Sequence, residues 1–124
     1  DLKKLEELSK QVRYMSKYGI ETFDDLYADR ERLQGEMDKL IAYRTKLQNK
    51  IRRASPSEKE TLRQEKSGVT ERITELRKQL KLNKGIEERS IKIQEKTDLL
   101  YANEYRAKEA EQNRKPQRKE RDAR

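Results

Sequence analysis

The sequence contains no histidine, no cysteine and no tryptophan. Without histidine there is no imidazole to act as a general base or as a metal ligand, and without cysteine there are no disulfides, thiolate nucleophiles or structural zinc sites. The sequence also has no glycine-rich phosphate-binding loop. We therefore expect a chain that is not an enzyme, with no catalytic residue, cofactor or metal site of its own.

Turn-forming and apolar residues are also scarce. There are only 2 prolines and 4 glycines, and 31% of the residues are hydrophobic while 45% are charged. Typical soluble folds have about 45–50% apolar and about 25% charged residues, so a large closed core is excluded. The longest apolar runs, Leu40–Tyr43 and Leu99–Ala102, are far shorter than the roughly 20 residues of a membrane span. This composition predicts an extended all-α protein that is cytoplasmic and not inserted in a membrane.

The first helix is predicted over residues 1–18, and the second over 23–54. Leu2, Leu5, Leu8, Val12 and Met15 follow one another at spacings of three and four, as the apolar face of a helix requires. After this helix, a glycine at 19 suits a left-handed residue, and the pair Thr22 and Asp25 resembles a capping box that opens the second helix.

The second helix carries the clearest pattern in the chain, a seven-residue repeat typical of a coiled-coil seam. The repeated residues are Leu26, Leu33, Leu40 and Leu47, with Arg30 and Arg44 at two intervening seam positions. At the end of this run, Ser55, Pro56 and Glu58 predict a helix stop followed at once by a new helix start, with Ser55 as the cap. We therefore expect the chain to reverse at this point.

The third helix, predicted over 56–82, has apolar positions that match the second helix in reverse order. Pairing residues whose numbers sum to 113 places Ile51 with Leu62, Leu40 with Ile73, Met37 with Leu76 and Leu33 with Leu80. Two helices aligned in this way bury a shared apolar seam. The sequence thus predicts an antiparallel coiled-coil helical hairpin.

Beyond Leu80 the seam changes register, because the next row of apolar residues on one helix face begins at Ile86. Asn83, Lys84 and Gly85 indicate a break, with a fourth helix over 86–112, although one continuous helix remains the alternative. The first and fourth helices would leave the same end of the hairpin and either pair there or fold back into a bundle. Residues 1–112 would form the helical domain, followed by a disordered basic tail over 113–124.

The chain carries 32 basic and 24 acidic residues, a net charge of +8, which favours phosphate-rich partners. No acidic residue lies between Asp38 and Glu58, and a second cationic cluster lies in the tail. One interpretation is contact with DNA phosphates; the other is a solvated face whose cations favour the negative end of a helix. The candidate phosphate contacts are Lys46, Lys50, Arg52, Arg53, Arg114, Lys115, Arg118 and Lys119.

Six tyrosines could act as nucleophiles or as base-stacking platforms. Tyr14 and Tyr18, like Tyr101 and Tyr105, are four residues apart, the spacing of a packing pair on a helix. No histidine or carboxylate cluster lies near them in sequence to hold an activating metal. Packing is therefore the favoured role.

Two segments resemble the helical C-terminal region of conjugative relaxases, the mobilization nucleases of Gram-positive mobile elements. They are residues 11–26, QVRYMSKYGIETFDDL, and residues 80–90, LKLNKGIEERS. The resemblance covers most of residues 2–100 and rests on sequence segments that connect helices. It implies a parent protein that nicks one DNA strand at an origin of transfer through a tyrosine nucleophile and a histidine-bound divalent metal.

This chain departs from the catalytic pattern of that family, since it has no histidine. The resemblance therefore places the active site upstream of Asp1, consistent with a chain that starts without methionine, and gives none of these tyrosines the nicking role. It implies an accessory domain that docks relaxosome or secretion-coupling proteins, or holds DNA beside the nick. The alternative is a structural coiled-coil spacer or a dimerisation module, because the heptads could pair with a second copy.

Overall fold

The computed structural model contains three helices, α1 (Leu2–Tyr18), α2 (Phe23–Arg53) and α3 (Pro56–Asp122). The structure describes the backbone of residues 1–122 and the side chains of residues 1–113. Within these residues there is no strand, so the predicted all-α class is confirmed. Contacts divide the chain into two compact units, Asp1–Glu87 and Glu88–Arg124.

The connection between α1 and α2 follows the two local signals in the sequence. Gly19 has φ 64° and ψ 37°, a left-handed conformation that glycine adopts without the steric cost of a Cβ. The Thr22 hydroxyl accepts a hydrogen bond from the Asp25 amide at 3.1 Å, and the Asp25 carboxylate accepts one from the Thr22 amide at 3.2 Å. The predicted capping box is confirmed. Hydrogen bonds from the backbone amides of Glu21 and Thr22 hold the pKa of Asp25 below its usual value.

The reversal between α2 and α3 occurs at the serine and proline that predicted it. Pro56 is the first residue of α3, where its missing N–H costs nothing because that donor has no partner within a helix. The carbonyl of Ser55 accepts from the amides of Glu58 and Lys59 at 3.1 and 3.0 Å. The hydroxyl of Ser55 lies 3.1 Å from the hydroxyl of Ser57.

Helices α2 and α3 run antiparallel and bury the predicted seam. Leu33, Leu76 and Leu80 form a buried cluster, with Met37 and Leu40 packed against it. Polar contacts join the helices in the same reversed order; they are Arg30 with Asn83, Glu36 with Arg72, Tyr43 with Glu65 and Gln48 with Lys66. Each lies close to the predicted pairing in which residue numbers sum to 113.

We expect Leu76→Ala to destabilise the hairpin, because the Leu76 side chain is 0% exposed. Removing a fully buried leucine side chain costs about 2–5 kcal/mol through lost burial and the cavity that remains. Urea unfolding followed by far-ultraviolet circular dichroism measures the loss. Leu99→Ala is the matched control on the same helix, since Leu99 is 62% exposed; an equal loss in both variants would contradict the buried seam.

The break predicted over Asn83, Lys84 and Gly85 does not occur, because α3 continues through these residues. Asn83 is fully buried, and its side-chain amide donates to the carbonyl of Leu26 at 2.9 Å. A Cβ on Gly85 would lie 3.0 Å from the side-chain nitrogen of Gln11 on α1. The asparagine and the glycine therefore mark close contact with other helices and not a helix end.

The apolar pattern of α3 changes register after Leu80 because α3 packs against different residues from there on. Ile86 belongs to a second buried cluster with Tyr14, Ile20 and Leu26, residues from α1, the connection and α2. Helix α1 therefore packs against the end of the hairpin formed by the start of α2 and residues 82–86 of α3. This contact lies within the unit Asp1–Glu87.

The predicted helix end at 112 is also too early, because α3 extends through Asp122. The disordered tail predicted over 113–124 falls almost entirely on residues whose side chains lie outside the described part of the chain. In the unit Glu88–Arg124, the large apolar side chains that are described are exposed; examples are Ile93 at 58% and Leu100 at 64%. Among the described residues, no helix combines the length and apolar character that crossing a bilayer requires.

Candidate nucleic-acid interface

The cations predicted at the hairpin tip are on the surface. Lys46, Lys50, Arg52 and Arg53 are all exposed. The ion pairs of Arg30, Arg32 and Arg72 lie elsewhere, and none of the four tip cations is paired with a described carboxylate. Their charge is therefore not neutralised by a neighbouring carboxylate, and they remain available to an anionic partner.

Lys50 and Arg53 line one groove beside the reversal. The groove has a volume of about 570 Å³, and its other walls include Ser57, Glu58 and Thr61 at the start of α3. The cations and the hydroxyl groups together can donate hydrogen bonds to phosphate oxygens. The carboxylate of Glu58 is the one acidic group in this lining.

The predicted residues do not all share this face of α2. Lys46 lies one turn before Lys50 and on the same side, because residues four apart are neighbours on a helix surface. Arg52 lies two positions after Lys50, a rotation of about 200°, and therefore faces away. On the opposite flank, a second groove of about 480 Å³ is lined by residues that include Arg63 and Lys66.

The other predicted phosphate contacts are in the tail. Arg114, Lys115, Arg118 and Lys119 lie outside the described side chains.

A buried polar cluster around Asp29 joins all three helices and was not predicted from the sequence. The Tyr14 hydroxyl donates to one Asp29 oxygen at 2.6 Å, and the Asn83 amide donates to the same oxygen at 3.1 Å. Arg32 donates to the other oxygen at 2.9 Å. Asp29 is only 8% exposed, so these donors replace the water that a carboxylate requires.

Burial and the bond to Asp29 raise the pKa of Tyr14 well above its ordinary value of 10.0. The Tyr14 hydroxyl is therefore protonated and serves as a donor, which is the opposite of what a nucleophile requires. Tyr14 also packs against Tyr18, with ring centroids 4.6 Å apart, so the predicted packing pair is confirmed. Arg32 lies 5.3 Å from the Tyr18 ring, and its bond to Asp29 raises the Arg32 pKa.

Arg30, predicted at a seam position, belongs to the same polar region. Its Nε donates to the Asn83 side-chain oxygen at 2.9 Å, and its Nη2 lies 3.3 Å from the Glu87 carboxylate, an ion pair without hydrogen-bond geometry. A hydrogen bond to Glu87 raises the pKa of Tyr27, and the same bond lowers the pKa of Glu87. Partners remote in sequence thus compensate the charge that Arg30 brings to the seam.

The polar cluster stabilises the fold, whereas the exposed cations form the surface suited to a partner. In the residues that the structure describes, no group of three or more histidine, cysteine or acidic side chains is arranged to hold a metal ion. At the tip, the cations and hydroxyl groups can neutralise charge and donate hydrogen bonds.

Comparison with known proteins does not add to this assignment. No protein-family model matches the chain, and searches of curated proteins and of solved structures find no match. The relaxase resemblance stays a prediction that rests on the two segments quoted above.

We expect Tyr14→Phe to lower the free energy of unfolding at pH 7 by about 1–3 kcal/mol, because Asp29 would lose a donor in a buried position. The raised pKa of Tyr14 adds a pH dependence. Above pH 10 the tyrosine ionises in the unfolded chain but stays protonated in the folded one, so folding stability falls as pH rises, by at most about 1.4 kcal/mol per pH unit.

Urea unfolding between pH 7 and 10.5 measures both effects, and the Phe variant should show a shallower loss above pH 10. Tyr101→Phe is the control, since Tyr101 is 67% exposed. Parallel pH curves for the wild-type protein and the Tyr14 variant would contradict the assignment.

Proposed function

We propose that this chain is a non-catalytic accessory helical domain of a conjugative relaxase, acting in the cytoplasm during plasmid or transposon mobilization. Its hairpin tip contacts DNA phosphates, and its remaining surface docks relaxosome or secretion-coupling proteins. The observation that carries the DNA contact is the exposed, unpaired state of Lys46, Lys50, Arg52 and Arg53. Cations left unpaired on a rigid hairpin can neutralise phosphates and release their counterions.

The resemblance supports the relaxase part of the proposal in a specific way. The segment 11–26 supplies Tyr14 and Leu26, and the segment 80–90 supplies Ile86, which pack together in one buried cluster. The Asn83 side chain in the second segment bonds the carbonyl of Leu26 in the first. The two sequence segments that resemble the family thus pack against each other.

We expect DNA affinity to fall steeply with salt, with a log–log slope of roughly −3 to −6 if four to seven phosphates are engaged. Replacing all four tip cations with glutamine should make the slope shallower by about 2 to 3, because Lys46, Lys50 and Arg53 share one face and each lost phosphate contact removes about 0.7 to 0.9. Fluorescence anisotropy with a labelled 20-nucleotide strand and its duplex, between 50 and 200 mM salt, measures this.

The matched control replaces four other exposed cations, Arg77, Lys78, Lys81 and Lys84, with glutamine and removes the same charge. If both variants lose the same DNA affinity, binding depends only on the net charge of the chain, and the tip is not a specific DNA-binding site. No binding at low salt would remove the DNA contact and leave protein docking as the function. The relaxase part is tested separately by the coding sequence upstream of Asp1, which should encode a tyrosine and a histidine metal triad.

A second candidate function is a structural spacer that dimerises through a coiled coil. The observation that favours it is the exposed pair Ile93 and Leu100, which are seven residues apart on one face of α3. Apolar side chains at heptad spacing are stabilised when a second helix covers them.

If this surface pairs with a second copy, multi-angle light scattering should show a mass that rises from monomer to dimer with concentration. The double variant Ile93→Glu and Leu100→Glu should then remain monomeric. The control is Ile91→Glu with Ala102→Glu, two exposed residues that lie about 160–180° around the helix from the first pair. A monomer over the whole concentration range would contradict dimerisation.

A further inference from the structure

On α2 the row of exposed cations begins before the hairpin tip and continues into it. This row, called the stripe below, also contains one aromatic side chain. Lys39, Tyr43, Lys46, Lys50 and Arg53 follow one another at spacings of four, three, four and three. This spacing places them on a single face of a helix, and all five are exposed. At about 1.5 Å per residue the stripe is about 21 Å long.

Tyr43 differs from the other tyrosines in its surroundings. It is 38% exposed, and it is the only aromatic residue between Tyr27 and Tyr101. Its neighbours along the stripe are the cations Lys39 and Lys46. An exposed ring between phosphate-binding cations is the arrangement with which proteins stack the bases of single strands.

The orientation of the Tyr43 ring is held from the neighbouring helix. Its hydroxyl donates to the carboxylate of Glu65 on α3. This bond raises the pKa of Tyr43, so the hydroxyl stays neutral. A ring whose position is already set loses less conformational entropy when a base stacks on it.

We propose that this stripe binds single-stranded DNA, with the Tyr43 ring stacking on one base while Lys39, Lys46, Lys50 and Arg53 neutralise phosphates on either side. The inference rests on the proposed DNA contact and names the form of DNA. Bases in a duplex are stacked on one another, so the ring adds nothing to duplex binding. Loss of the ring should therefore weaken binding to single strands and leave binding to duplexes unchanged.

The test separates stacking from the structural role of the hydroxyl. Tyr43→Phe and Tyr43→Leu both lose the bond to Glu65, but only the leucine variant loses the ring. With labelled oligo(dT)₂₀ at 50 mM salt, the Phe variant should keep most of the wild-type affinity, because it keeps the ring and loses only the bond that orients it. The Leu variant should bind about 5- to 150-fold more weakly, the range expected for loss of one stacked base. A 20-base-pair duplex should bind both variants equally.

Tyr27 provides a closely matched control. It also lies on α2, is 42% exposed, and its hydroxyl also bonds a glutamate of α3, Glu87. Its surroundings include Asp24, which disfavours a phosphate. Tyr27→Leu should leave oligo(dT)₂₀ affinity unchanged, and circular dichroism of every variant verifies that the helices are intact.

A direct optical readout is available because the protein has no tryptophan. Tyr43→Trp introduces a single indole, and stacking should quench its emission when oligo(dT)₂₀ is added. Equal affinities of the Phe and Leu variants for oligo(dT)₂₀, or an unquenched indole, would overturn the inference. If the four-cation variant still loses affinity in that case, the DNA contact stands and only the stacking role of Tyr43 fails.

Discussion

The three-helix junction depends on the buried carboxylate of Asp29. Asp29 lies on α2 and receives hydrogen bonds from Tyr14 on α1 and Asn83 on α3, as well as from Arg32 on α2 itself. A buried carboxylate without such donors is strongly unfavourable, so the junction is stable only when all three helices are in place. Apolar side chains at heptad spacing tolerate a shift by one repeat, but this set of hydrogen bonds does not. We infer that Asp29 sets the position of α1 along the hairpin.

The parts of the fold that could be predicted from the sequence are those with local or periodic signals. Gly19 and the Thr22–Asp25 pair end one helix and begin the next through contacts within a few residues, and Pro56 does the same at the reversal. The pairing of α2 with α3 could also be predicted. When two helices with heptad patterns are aligned antiparallel, few alignments place apolar residues opposite one another. The buried cluster of Leu33, Leu76 and Leu80 has that alignment.

The errors arose where a residue has a remote partner. Asn83 and Gly85 are poor helix formers, so they indicated a break in the helix. In the structure Asn83 donates a hydrogen bond to the carbonyl of Leu26, and the missing Cβ of Gly85 leaves space for the side chain of Gln11. Neither partner is near in sequence, and no periodic pattern predicts a buried carboxylate at Asp29. At the site, the cations were predicted from charge alone. The stacking position of Tyr43 could have been recognised from its spacing of four and three to the flanking lysines.

The proposed DNA-binding stripe and the apolar seam of the hairpin follow the same repeat along α2. Lys39, Lys46 and Lys50 each immediately precede a seam residue, Leu40, Leu47 and Ile51. A step of one residue turns a helix by about 100°, so a row of cations runs beside the apolar seam along the same stretch of α2. Burial of the seam against α3 keeps this part of α2 helical, and that in turn keeps the cations aligned. Because Asp29 lies before Lys39 in α2, about 15 Å along the helix at about 1.5 Å per residue, a ligand on the stripe need not disturb the junction that positions α1.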